Sequence, residues 1–190
     1  MAVCVEKGKP TVLDRQRLHL VETFTYRFRQ PYHTAGKMPL AEGRAFISSV
    51  KSKARYLADQ AIRTLKSQLH ERGYDLNRSA LLLASGRQLP ELEKILASHA
   101  LIHTADGELF RESIVQASEH IGLALSLIKD AELLEQAAKP LHLPKPRLLQ
   151  RATELGRQFG APWSQDEKFA TLAAWLASVP TEKTNRSKPA

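Results

Sequence analysis

The sequence is short of cysteine: Cys4 is the only one, so no disulfide can close within the chain. That excludes a disulfide-stapled scaffold and fits a reducing, cytoplasmic setting, with Cys4 read as a buried, inert thiol. No apolar run approaches the ~18 residues that cross a bilayer, and the opening MAVCVEKGKP has no secretory apolar core, so no membrane partner is expected. Walker loops, dinucleotide glycine fingerprints, a GxSxG elbow and a His-Glu-x-x-His pattern are all missing. Internal repeats are absent too. Acidic residues are outnumbered, 20 against 28 Lys and Arg, which leaves a formal net charge of +8.

What is present suits a folded domain. The length of 190 residues matches one domain with a real core, and 43% hydrophobic with 25% charged residues is ordinary for a globular chain. A single α/β domain is expected over 1–179. The basic segment 180–190, with Lys183, Arg186 and Lys188 among small polar residues, reads as a disordered tail. The remaining positive charge attracts phosphate backbones or acidic partners through its summed field.

The pattern of elements is strand-rich at the start. Ala2–Val5 and Pro10–Leu13 flank the turn Lys7-Gly8-Lys9. In Leu18–Phe28, alternation puts Leu18, Leu20, Phe24, Tyr26 and Phe28 on one parity, which predicts a strand with Glu22 on its apolar face. Tyr32 and His33 follow in a non-sheet exit between Pro31 and Gly36. Leu40–Arg72 predicts a long helix whose apolar face is Phe46, Val50, Ala54, Leu57, Ala61 and Leu65, stopped by Gly73. Its basic flank carries Arg44, Lys51, Arg55 and Lys66. Ser79–Ala84 predicts a buried strand, Pro90 opens a short helix, and Thr104 is the expected N-cap of a helix carrying Phe110, Ile114, Ala117 and Ile121. Leu123–Ile128 returns to a strand. Helices over 131–138 and 148–159 come next, and a capping box at Ser164–Glu167 starts the last one.

The stretch Arg78–Arg111 concentrates the capable side chains. His99 and His103, four apart, share a face if helical and can ligate a metal with Asp106 or Glu108. The same histidines, oriented by Asp106, Glu108 or Glu22, suit acid–base work. Ser85, Gly86 and Arg87 place backbone donors, a hydroxyl and a guanidinium before a helix, which suits anion or cofactor capture. Each feature also has a structural reading: hydrogen-bonded histidines, an ordinary turn, a cap. Trp163, Trp175 and Tyr56 read as packing residues that could otherwise stack bases.

The order strands, helix, strand, helix, strand, helix, helix is similar to that of the ribonuclease H-like superfamily, in its Holliday-junction resolvase branch. Ser164–Trp175, SQDEKFATLAAW, resembles the family's final helix, with Asp166 where the last metal-binding acid stands, and Glu6 in the first-strand position. The resemblance implies a mixed sheet flanked by helices, and a divalent metal such as magnesium for phosphodiester hydrolysis. The counterpart of the fourth strand, Ser79–Ala84, has no Asp or Glu, which points to a divergent or inactive member.

Three functions therefore compete. The leading expectation is a nucleic-acid-associated protein gripping phosphates through Arg44, Lys51, Arg55 and Arg87. The second is a small-molecule enzyme or anion-binding protein with a pocket around Arg87, His99, His103 and Asp106. The third is a non-enzymatic partner-binding protein. The candidate catalytic set is Glu22, His99, His103, Asp106 and Asp166, with Ser85, Gly86 and Arg87 as candidate cofactor contacts.

Overall fold

A computed structural model describes residues 1–84 and 88–179. The expectations placed on Ser85, Gly86, Arg87 and the tail 180–190 lie outside the described residues. The chain is mixed α/β, as its pattern implies, with two small sheets flanked by helices. No helix among the described residues is long and apolar enough to cross a membrane. The residues fall into two compact units, one joining Met1–Arg15 to the segment from Asp130 onward, the other running from Gln16 to Lys129.

The first unit opens on an antiparallel hairpin, β1 (Ala2–Glu6) and β2 (Lys9–Asp14). Lys7 and Gly8 both take positive φ, 49° and 77°, the backbone that a two-residue hairpin turn demands, and Gly8 adopts it without strain. Three helices complete the unit: α6 (Leu133–Ala138), α7 (Lys145–Leu155) and α8 (Gln165–Ser178). The expected helix over 148–159 starts earlier, behind Pro146 in its first turn, and gives way to a 3-10 turn at Arg157–Phe159. Leu133, Leu148 and Leu172 are fully buried, and α8 packs on β1, α6 and α7. The expected capping box is present: Ser164 Oγ accepts from the Glu167 N–H while Glu167 accepts from the Ser164 N–H at 2.6 Å. Arg15 ties the hairpin to this cap, donating to Glu167 Oε1 at 2.7 Å and to the Pro162 carbonyl at 2.7 Å.

The second unit is built on α3 (Leu40–Glu71) and α5 (His99–His120), which pack along each other. The buried stripe of α3 is Ile47, Val50, Ala54, Ala58, Ile62 and Leu69, rotated from the expected Phe46–Leu57–Leu65 face. Gly73, at φ 83°, ends the helix and lets the Tyr74 N–H reach the Leu69 carbonyl. β3 (Arg78–Leu83) and β4 (Ala124–Lys129) run parallel in register, joined by the short α4 (Leu92–Leu96) and by α5, as a parallel pair requires a crossover.

Further expectations fail in this unit, among them the buried strand, since β3 is only half-buried and its Arg78 is exposed. Leu18–Phe28 is not a strand: residues 16–25 are irregular, and α1 (Tyr26–Arg29) and α2 (Pro31–Ala35) follow. The alternation had no partner strand to satisfy its backbone. Phe24 and Tyr26 stay exposed, at 66% and 50%, and cations cover them instead, with the Arg29 guanidinium 4.6 Å from the Phe24 ring. Glu22 consequently faces no core; it is exposed and pairs with Lys53. Thr104 is not an N-cap. Ser98 caps α5, its hydroxyl accepting from the Leu101 N–H, while Thr104 sits inside the helix with its hydroxyl donating to the Ala100 carbonyl at 3.0 Å.

Candidate metal centre

Starting α5 at His99 rather than at Thr104 decides the geometry of the site. Positions 99, 103 and 106 then lie on one face of a continuous helix, at spacings of one and two turns. This face meets α2, where Pro31 opens a single turn that carries Tyr32 and His33. The three imidazoles gather there. One ring nitrogen from each of His33, His99 and His103 lies within 4.8 Å of the other two. His99 Nε2 and His103 Nε2 are 3.0 Å apart, and the ring centroids of His33 and His103 are separated by 4.4 Å.

Asp106 supports this cluster from below. It is 7% exposed, and a carboxylate so placed is costly unless its oxygens find donors. Oδ1 accepts from the Tyr32 backbone N–H at 2.7 Å, and Oδ2 lies 2.6 Å from His33 Nδ1. The Tyr32 amide is one of the first-turn donors that a helix cannot satisfy internally, and Gln30, at the N-cap, offers α2 no side-chain bond. A carboxylate accepts only, so His33 Nδ1 carries a proton, and in the neutral ring Nε2 keeps its lone pair. Tyr32 packs inward, and burial first, then Glu112 and Asp106, push its phenol above the ordinary value, so it stays neutral.

Three imidazole nitrogens gathered this closely could hold a transition-metal ion. Two nitrogens each about 2.05 Å from a tetrahedral zinc stand about 3.3 Å apart, inside the range the three rings span. A carboxylate holding the second nitrogen of a ligating histidine is the usual outer support of such a centre. Magnesium, which takes oxygen ligands, does not suit three imidazoles. His99 and His103 are exposed, so the cluster is open to solvent.

No family model, curated protein or solved structure matches this chain.

The expected residues divide accordingly. His99, His103 and Asp106 come together, and His33 joins them. Glu108 instead pairs with Arg111 at 3.1 Å on the same helix. Glu22 is engaged by Lys53. Asp166 lies in the first turn of α8, and Glu6 ends β1; both are exposed and belong to the first unit. Of the candidate phosphate contacts, Arg44 pairs with Glu93 at 2.7 Å and Lys51 with Glu112 at 2.7 Å. The residue that sequence reasoning missed is His33. The available signal was a histidine two positions after a proline that can open a helix, in a chain whose 99–103 pair lacked a third nitrogen.

Proposed function

We propose that the second unit binds a zinc-class transition metal through His33, His99 and His103, and that the centre is of the open kind. Three protein nitrogens leave a fourth tetrahedral position for water or substrate, the arrangement of catalytic rather than structural zinc. A metal held this way acts as a Lewis acid, polarising a bound oxygen and making its water a better nucleophile near neutral pH. The observation that carries this reading is the Asp106 carboxylate, which fixes the His33 tautomer needed for ligation while it caps the helix bearing it. Zinc and cobalt(II) titrations of the full chain test it. One equivalent should bind, with a four-coordinate cobalt spectrum, and His33→Ala, His99→Ala and His103→Ala should each weaken it. Zinc binding unaltered in all three variants would overturn the assignment.

A second reading, association with nucleic-acid phosphates, rests on the net charge of +8. The ion pairs of Arg44 and Lys51 are surface contacts of small net strength, so both cations can exchange partners. Affinity for duplex DNA or RNA should then fall steeply with added salt; a flat salt response removes this reading.

A further inference from the structure

A second cluster of polar groups lies elsewhere in the same unit, and the metal reading does not use it. Between α3 and α5 runs a cleft of about 410 Å³, lined by Arg55, Tyr56, Asp59, Gln116, Ala117 and His120. That volume is within the range of small-molecule sites.

Three of its groups are unfinished in hydrogen-bonding terms. Gln116 Nε2 donates to Glu112 Oε1 at 3.0 Å, and since a carboxylate can only accept, this fixes which way the amide points. Its Oε1 is buried and has no partner, an uncommon state that costs free energy until a donor arrives. Arg55 has no carboxylate partner among the described residues, unlike Arg44 and Lys51 on the same helix. His120 Nδ1 is held by Asp59 Oδ1 at 2.7 Å, which leaves Nε2, on the far side of the ring, to donate to a phosphate oxygen when the ring is protonated or to accept from a phosphate O–H when it is neutral. Asp59 itself is occupied. Arg63 donates to both its oxygens, and that hydrogen bonding, with His120 adding to it, holds the Asp59 carboxyl below its ordinary value. The acid therefore orients His120 and does not compete for an incoming anion.

We propose that this cleft binds a small phosphomonoester that also carries a hydrogen-bond donor, such as a hydroxyl. Arg55 and His120 approach from different helices, and a tetrahedral phosphate offers oxygens in several directions where a planar carboxylate offers them in one plane. The organic part supplies the O–H or N–H that Gln116 Oε1 lacks. Ala117, small and buried, lines the cleft and leaves the space for it.

The test uses the full chain, with ribose 5-phosphate, inorganic phosphate and ribose as probes, read by NMR shifts of the Gln116 side-chain amide and the His120 ring. Ribose 5-phosphate should move both, and Arg55→Ala should weaken it about tenfold or more, the effect of one lost charge-assisted bond. Gln116→Met should weaken ribose 5-phosphate but spare inorganic phosphate. It should also leave the free protein as stable as before or more so, because an unsatisfied buried acceptor has gone. The proposal is overturned if no probe shifts these groups, if ribose binds as well as its phosphate, or if Arg55→Ala binds like the parent. It also falls if Gln116→Met destabilises the free protein while leaving affinity unchanged, since Gln116 is then merely structural.

Discussion

Replacing Asp106 by asparagine changes one atom's chemistry and little of its shape, so it isolates what the carboxylate does. Asparagine can still accept the Tyr32 N–H through its carbonyl oxygen, but the other position then presents an NH₂ to His33 Nδ1. Two donors face each other unless His33 moves its proton to Nε2, and that removes the lone pair a metal needs. Loss of such outer support typically lowers metal affinity about 10- to 100-fold, or about 1.4–2.8 kcal/mol. Stability of the metal-free chain should fall as well. One charged hydrogen bond is lost and one is weakened, at about 1.5–3 kcal/mol for a bond to a charged group. For a chain of this size, about 2–4 °C of melting temperature per kcal/mol gives a drop of roughly 3–12 °C. Isothermal titration with zinc, and thermal melts in chelator, read the two effects separately. Asp106→Asn with parental zinc affinity would refute the orienting role, even if the melt fell as expected.

Other expectations follow from the first unit and from the chemistry of its cap. Gly156 has helical backbone, at φ −79° and ψ −13°, so alanine there should help by about 1 kcal/mol on propensity alone. A Cβ would, however, land inside the Trp163 indole, whose Nε1 donates to the Ala152 carbonyl at 3.1 Å and whose ring stacks on Phe159. Gly156→Ala should therefore destabilise by about 1–3 kcal/mol in denaturant melts, and a stabilised variant would contradict that packing. Leu133→Ala, at a fully buried position, should cost about 2–5 kcal/mol by the same assay. Glu167 is held below the ordinary carboxylate value, first by the Ser164 backbone N–H and then by the Ser164 hydroxyl and Arg15. Its stabilising effect is thus complete above about pH 4.3 and disappears as pH falls through the depressed value. Glu167→Gln should accordingly be less stable than the parent at neutral pH, with the gap narrowing on acidification below about pH 4.3. A gap that widens in acid would reverse the sign of this argument.

Local chemistry was easy to read where one or two residues decide the backbone. Lys7-Gly8 announced the hairpin, Ser164 and Glu167 the last cap, and Gly73 the end of α3. The helix face was harder, since a 32-residue helix offers several apolar stripes and the partner's position chooses between them. Leu18–Phe28 failed because alternation measures suitability for a strand, not the presence of a neighbour to pair with. The site was half legible. His99, His103 and Asp106 are close in sequence and needed only a continuous helix, which a serine cap supplied six positions before the expected threonine would have acted. His33 lies 66 residues before His99, and only the packing of α2 on α5 brings it in.

The make-up of the first unit sets an order of events during synthesis. Val12 and Ala2 are buried residues of the hairpin, yet the helices of their own unit begin only after Asp130. At about 5–20 residues per second, some 160 residues and roughly 8–30 s separate the emergence of Val12 from that of Leu172. The residues from Gln16 to Lys129 leave the ribosome entirely within that interval. The hairpin therefore waits, with its apolar face open, for a helix made about 160 residues later. That interval makes β1 and β2 a point of exposure to chaperones and to misassembly, although their pairing with each other is local.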